Sequence, residues 1–299
     1  MVKSFIQAAR LRTLPLSISG IILAGFLAEY TGYFRWDILI LSLLTTVAFQ
    51  VISNFANDYG DGVKGTDNED RIGPERAIQS GAISPAQMKK AIKISSAIGL
   101  LLSVVLIYVS FGKEDFLWAL FFLLLGIASI WAAIKYTVGD DAYGYSGKGD
   151  IFVFLFFGGL SVLGGYFLYH HDLDLVFSYP AASIGLLSTA VLNLNNMRDR
   201  SSDIKAGKNT LVVQMGFQRA KVYHSILIIL PLIFSLMFNL YLGLTDLKNF
   251  IYLIAFIPLL LNLSKVWKVK DPVELDPELK KVALGTFLYS VLFGISILL

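Results

Sequence analysis

Nine runs of apolar residues, each about 20 long, follow one another through the chain and leave it one class of fold. They lie near 14–33, 36–57, 91–111, 116–138, 151–169, 175–197, 222–243, 249–267 and 282–299. In hydrocarbon, every backbone N–H and C=O must be satisfied within the protein, so runs of this length predict membrane-spanning helices. Composition agrees: 16% of residues are charged, where soluble domains carry about 25%. The expectation is an all-α integral membrane protein, a bundle of nine transmembrane helices in a single domain over 1–299. Cysteine is absent, which leaves neither disulfides nor thiolate metal sites to consider. Lys3, Arg10 and Arg12 precede the first run with no small-residue cleavage site, so no removable signal peptide is expected.

Alternate loops differ sharply in charge. With this segmentation, 22 of the 25 Lys and Arg residues fall on one side, and only Arg35, Lys113 and Lys248 fall on the other. Positive loops stay inside, so the N-terminus is expected in the cytoplasm and the C-terminus outside. Trp36 and Trp118 then sit at the outer interface and Trp267 at the inner one, as an aromatic belt requires. The loops near 58–90, 136–150 and 198–221 all face the cytoplasm. His170-His171-Asp172 occupies an outer loop and is assigned no role, and His224 is read as interfacial.

Two polar clusters interrupt this apolar pattern. Asn54-Phe-Ala-Asn57-Asp58-Tyr-Gly-Asp61 closes the second run, and Asn195-Asn196-Met-Arg198-Asp199-Arg-Ser-Ser-Asp203 closes the sixth. An Asp at mid-bilayer costs roughly 2.5–3.5 kcal/mol, so acids at the lip of a membrane helix point to function. Solvated helix caps are the plain reading of one such cluster; two with matching layout favour a site. Asn54, Asp58 and Asp61 share a helix face by their spacing, as do Asn195, Asp199 and Asp203. Columns of hard oxygen donors on two helices suit Mg²⁺ bridging carboxylates to substrate phosphates.

Cations surround the same mouth. Arg76, Lys148, Lys205 and Lys208 follow or flank the clusters; each serves topology when taken alone, and together they suit a phosphorylated ligand. Neither glycine-rich stretch is a P-loop, and an EF-hand read from Asn57 fails because Tyr59 takes a ligand position. A short repeat follows each cluster, Ile78-Gln79-Ser-Gly81 and Val213-Gln214-Met-Gly216, which suggests a pseudo-symmetric bundle with its site between the halves.

Asn-Asp-Tyr-Gly-Asp at 57–61, Gly65-Thr-Asp67 and Gly73-Pro74-x-Arg76-Ala-Ile-x-x-Gly81 together resemble the UbiA superfamily of intramembrane aromatic prenyltransferases. Arg12-Thr13-Leu14-Pro15, Tyr136-Thr-Val-Gly139, Tyr143-Gly-Tyr145-Ser-Gly147-x-Gly149-Asp150 and Asn195-Asn196-x-Arg198-Asp199-x-x-x-Asp203 extend the likeness over the whole chain. The resemblance, strongest to the naphthoate branch, implies an enzyme of menaquinone biosynthesis in the inner membrane. It would transfer a polyprenyl chain from polyprenyl diphosphate to 1,4-dihydroxy-2-naphthoate with loss of carbon dioxide, and would have no nucleic-acid partner. It implies Mg²⁺ held by Asp58, Asp61, Asp199 and Asp203 with Asn54 and Asn196, and leaves open whether Asp61 or Asp67 is the second ligand of the first motif. Substrate contacts are expected from Arg12, Asn54, Asn57, Arg76, Lys148, Asn195, Asn196, Arg198, Lys205 and Lys208. Tyr136, Tyr143 and Tyr145 are candidates to shield a cation or hold the acceptor, or else interfacial anchors, and Asp150 is a candidate contact to acceptor or metal. A sister enzyme acting on 4-hydroxybenzoate, a secondary transporter and another lipid-phosphate transferase are the alternatives.

Overall fold

The computed structural model describes residues 2–66 and 76–299. Its helices are α1 (Val2–Ala8), α2 (Leu14–Tyr30), α3 (Trp36–Lys64), α4 (Pro85–Phe111), α5 (Phe116–Lys135), α6 (Gly149–Val153) and α7 (Gly165–His170), followed by α8 (Ser178–Lys205), α9 (Leu211–Met215), α10 (Phe217–Leu242), α11 (Leu253–Lys268) and α12 (Asp276–Leu298). Among the described residues, nine helical stretches are long and apolar enough to cross a membrane, and each corresponds to one expected run. Several reach further than the apolar pattern alone suggests. In particular, α3 continues to Lys64 and α8 to Lys205, so both polar clusters ride on final helical turns.

Side chains satisfy themselves inside this apolar setting by bonding back to their own helix. Ser19, Ser103, Ser129, Ser183, Thr189, Ser235 and Thr286 each donate to the carbonyl four residues earlier, at 2.7–2.9 Å. A hydroxyl so paired can sit in a membrane helix without a partner elsewhere. Helix α5 buries only Ser129 and Ala132 and leaves Leu117, Phe121, Leu124 and Trp131 exposed. In water such a helix would be an aggregation surface; in lipid it is an ordinary outer helix.

The chain divides into two compact units. One gathers Met1–Leu14, Ile40–Gly149 and Asp199–Gln214; the other Pro15–Leu39, Asp150–Arg198 and Met215–Leu299. The first is centred on Ala8, Ala9, Phe55, Ala56, Ile83, Met88 and Ile92. Helix α4 enters it through a capping box, in which Gln87 N–H donates to Ser84 Oγ and Ser84 N–H to Gln87 Oε1. The second unit is built on large buried aromatics, among them Phe238 and Phe293 with ring centroids 5.2 Å apart. Between α6 and α7 the chain runs as a π-helix over Phe154–Gly164, a wide-turn geometry that an apolar run does not announce.

One expectation is corrected in the second unit. His224 is fully buried rather than interfacial. Its Nε2 pairs with Asn262 Oδ1 at 2.9 Å, Asn262 Nδ2 donates to Glu278 Oε2 at 2.9 Å, and Lys281 Nζ donates to Glu278 Oε1 at 2.5 Å. This relay ties α10, α11 and α12 together. Burial of the imidazole costs less because Nε2 keeps a polar partner in place of water.

Candidate active site

The last three turns of α3 carry four polar side chains, and each fixes a different segment of the first unit. Asn54 donates to the Ala9 carbonyl at 2.8 Å, fastening the end of α1. Asn57 Oδ1 accepts from Thr137 Oγ1 at 3.3 Å, and the same hydroxyl lies 3.0 Å from the Ala56 carbonyl. Asp58 accepts from the backbone N–H groups of Ala77 and Ile78, each at 3.1 Å. Asp61 receives the rest. The expected column of ligands is therefore a hub, with Asn54 and Asn57 already engaged in protein contacts.

Asp61 is 3% exposed, and its carboxylate is held by side chains that converge from distant parts of the sequence. Oδ1 accepts from Tyr145 Oη at 2.6 Å, Lys208 Nζ at 3.1 Å and Thr66 Oγ1 at 3.2 Å. Oδ2 pairs with Arg76 Nη2 at 3.1 Å. Two cations and two hydroxyls offset the cost of burying one carboxylate, which an isolated charge could not bear. Lys208 also lies 4.0 Å from Asp203. One ammonium thus brings a carboxylate from each cluster to the same point. The Tyr145 ring is flanked by Lys64 Nζ, 4.2 Å from its centroid, and Lys208 Nζ, 4.7 Å away, so its π-face and its hydroxyl act on the same charges.

Both clusters end in the same turn. Gly65 and Gly207 are left-handed, each with φ of 69°. Thr66 N–H returns to the Asp61 carbonyl at 3.1 Å, and Lys208 N–H to the Asp203 carbonyl at 2.8 Å. Glycine is favoured because most residues with a Cβ are strained in this Schellman geometry. The caps place Thr66 and Lys208 at equivalent positions, and both reach Asp61 Oδ1. Gly81 and Gly216, from the repeat visible in the sequence, also share positive φ, at 71° and 81°.

The other expected residues are distributed as follows. Asn196 and Asp199 are buried, while Arg12, Lys148 and Lys205 are exposed. Tyr143 donates to the Ala132 carbonyl at 2.8 Å, and burial pushes its phenol well above the ordinary range, so it stays protonated. Tyr136 meets it edge to face with centroids 5.3 Å apart. In the second unit, Arg198 pairs with Asp276 at 2.6 Å and with Asn195 Oδ1 at 2.9 Å. Asp150 is 6% exposed and hydrogen-bonded to Tyr223. Asp67 lies outside the described residues. Thr66, Lys64, Thr137 and Tyr223 were not singled out from the sequence; the spacing Asp-x-x-x-Gly, shared by 61–65 and 203–207, could have pointed to Thr66.

Among the described residues, no three His, Cys, Asp or Glu side chains form a ready-made metal cluster. The donor chemistry nonetheless suits a hard cation with an anionic ligand: buried carboxylates from two helices converge, with Arg76 and Lys208 beside them. A family model, the UbiA prenyltransferase family, matches residues 18–292. The chain belongs to this family. It is 42% identical to a 1,4-dihydroxy-2-naphthoate octaprenyltransferase of Escherichia coli over 99% of this chain and 96% of that one. A Haemophilus influenzae protein of the same name is 40% identical over 100% of this chain and 96% of its own. The fold is shared with a UbiA homolog from Archaeoglobus fulgidus bound to GPP and Mg²⁺, at a TM-score of 0.62 and 15% identity, covering 97% of this chain and 100% of that one.

Proposed function

We propose that this member of the UbiA family transfers a polyprenyl chain from polyprenyl diphosphate to 1,4-dihydroxy-2-naphthoate, with decarboxylation, as a magnesium-dependent step of menaquinone biosynthesis. The single observation that carries prenyl transfer is the convergence of Asp61 and Asp203 on Lys208, with Arg76 alongside. The names of the two full-length relatives support the choice of acceptor. The protein works in the cell membrane with its mouth towards the cytoplasm, a reading supported by the one-sided distribution of Lys and Arg.

Asp61, Asp199 and Asp203 would hold the ion, and Asp67 is a further ligand candidate by sequence. What bound Mg²⁺ supplies is neutralisation of the diphosphate charge. Arg76 and Lys208 take up the negative charge that develops on the departing diphosphate, placed beforehand by Asp61. The allylic C–O bond breaks with its electron pair leaving on the diphosphate. The ring carbon bearing the carboxylate forms the new C–C bond. The bond to the carboxylate then breaks, carbon dioxide departs, and its electron pair restores the aromatic ring. Lys148 is the candidate to hold the naphthoate carboxylate, with Arg76 as the alternative.

Mass spectrometry of lipid products tests this with purified protein, Mg²⁺, prenyl diphosphates of mixed length, and dihydroxynaphthoate and 4-hydroxybenzoate offered together. The expected product is a demethylmenaquinol formed in step with carbon dioxide. Prenylated 4-hydroxybenzoate that retains its carboxylate, with the naphthoate untouched, would move the chain to a sister branch.

A further inference from the structure

Asp58 belongs to the first acidic cluster, yet its environment differs from that of Asp61 in kind. It is 1% exposed. Its partners are backbone amides: Oδ2 accepts from Ala77 N–H and Oδ1 from Ile78 N–H. Two N–H dipoles therefore aim their positive ends at the carboxylate. They stabilise the anion and, unlike the Tyr145, Lys208, Thr66 and Arg76 side chains around Asp61, cannot swing aside to admit a cation. We propose that Asp58 is a positioning residue, not a metal ligand, and that it clamps the backbone at 77–78 so that Arg76 faces Asp61.

The geometry around the clamp supports this role. Arg76 directly precedes the held amides, and its guanidinium reaches Asp61 at 3.1 Å. The held segment closes on itself, with Ser80 N–H returning to the Arg76 carbonyl at 2.9 Å and Ile83 N–H to the Ala77 carbonyl at 3.1 Å. One turn further along α3, a Cβ on Gly62 would lie 2.6 Å from Ile78 Cγ2, so helix and turn are in direct contact there. Asp58 and Gly62 thus grip the turn at two points, and Asp61 stands between them. The alternating duties explain why two acids three residues apart are both buried: Asp58 sets the position of the cation that Asp61 uses.

Amide hydrogen exchange on the purified full-length protein tests the clamp without reference to activity. In the unmodified chain, the Ala77 and Ile78 amides are expected to be equally protected in EDTA and in excess Mg²⁺. Asp58→Asn should speed their exchange by about tenfold or more, while Asp61→Asn leaves them protected. Titration with Mn²⁺ alone, followed by electron paramagnetic resonance, should give an affinity within about twofold of the parent for Asp58→Asn, against a loss of about tenfold for Asp203→Asn. The kinetic readout rests on the prenyl-transfer reading: KM for the prenyl diphosphate rises in Asp58→Asn while KM for the naphthoate holds. Should Asp58→Asn fail to fold, the EDTA–Mg²⁺ comparison on the parent still decides. Loss of protection at 77–78 on adding Mg²⁺ overturns the clamp, as does an Asp58→Asn variant that loses Mn²⁺ as Asp203→Asn does. Unchanged Mn²⁺ affinity in Asp203→Asn counts against the metal assignment and leaves the clamp standing if the exchange results hold.

Discussion

At Asp61, one carboxylate oxygen receives a phenol, an ammonium and an alcohol, and the phenol makes the shortest of the three contacts. Tyr145→Phe keeps the ring between Lys64 and Lys208 and removes only that hydroxyl. A hydrogen bond to a charged group is worth about 1.5–3 kcal/mol, so kcat/KM for the prenyl diphosphate should fall roughly 10- to 100-fold. Tyr145→Ala also loses the cation–π contacts and should fall further. Initial rates at varied donor, with acceptor saturating, measure both; parent-like kinetics in Tyr145→Phe would show that the hydroxyl does not position the cations. The residue types of this site were legible as acids with nearby basic residues. Their pairing was not, because Tyr145 and Lys208 stand 84 and 147 positions from Asp61, beyond any helical periodicity. His224 was misread for the same reason: the Asn262 that makes its burial tolerable lies 38 positions away.

Helix ends, more than helix middles, place the functional groups. The apolar runs located every long helix, and the spacing of the acids carried α3 and α8 on into their polar turns, but periodicity cannot say which partner an Asn or Asp will find inside the protein. What ends those helices is local and legible: a glycine four residues after an acid in each cluster. Gly207 has open space around its Cβ position, so Gly207→Ala costs backbone strain alone, about 1–2 kcal/mol. It should lower the unfolding temperature by a few degrees, and donor KM should rise as Lys208 loses its fixed approach to Asp61 and Asp203. Gly207→Asn should recover much of both, because Asn tolerates the left-handed region. Thermal unfolding and donor KM for the pair test this; equal damage from Asn and Ala would remove the cap from the account of how Lys208 is placed. The π-helical stretch at 154–164 left no comparable trace, as its wide turns use the same apolar residues that an α-helix would.

On the scale of the molecule, two independent sequence patterns constrain one another. Run length sets nine crossings, and an odd number puts the termini on opposite sides. The Lys and Arg count then reads as 22 against 3, and omitting any crossing but the last would move the later loops to the other side and blur the contrast. Each cationic side chain held on the inner face gains about 1 kcal/mol from anionic lipid, so the bias has a physical cause as well as a diagnostic use. It predicts that Gly65 and Lys205, near the ends of the two motif helices, lie in the cytoplasm and Asp172 outside. Since the native chain has no cysteine, single cysteines at these three positions give a clean test. An impermeant thiol reagent should label Gly65→Cys and Lys205→Cys in inverted vesicles only, and Asp172→Cys in right-side-out vesicles only. Labelling of Gly65→Cys and Asp172→Cys from the same side would break the nine-crossing topology. Labelling of all three on the reversed sides would keep the crossings, turn the protein over, and overturn the cytoplasmic placing of the two motif-helix ends.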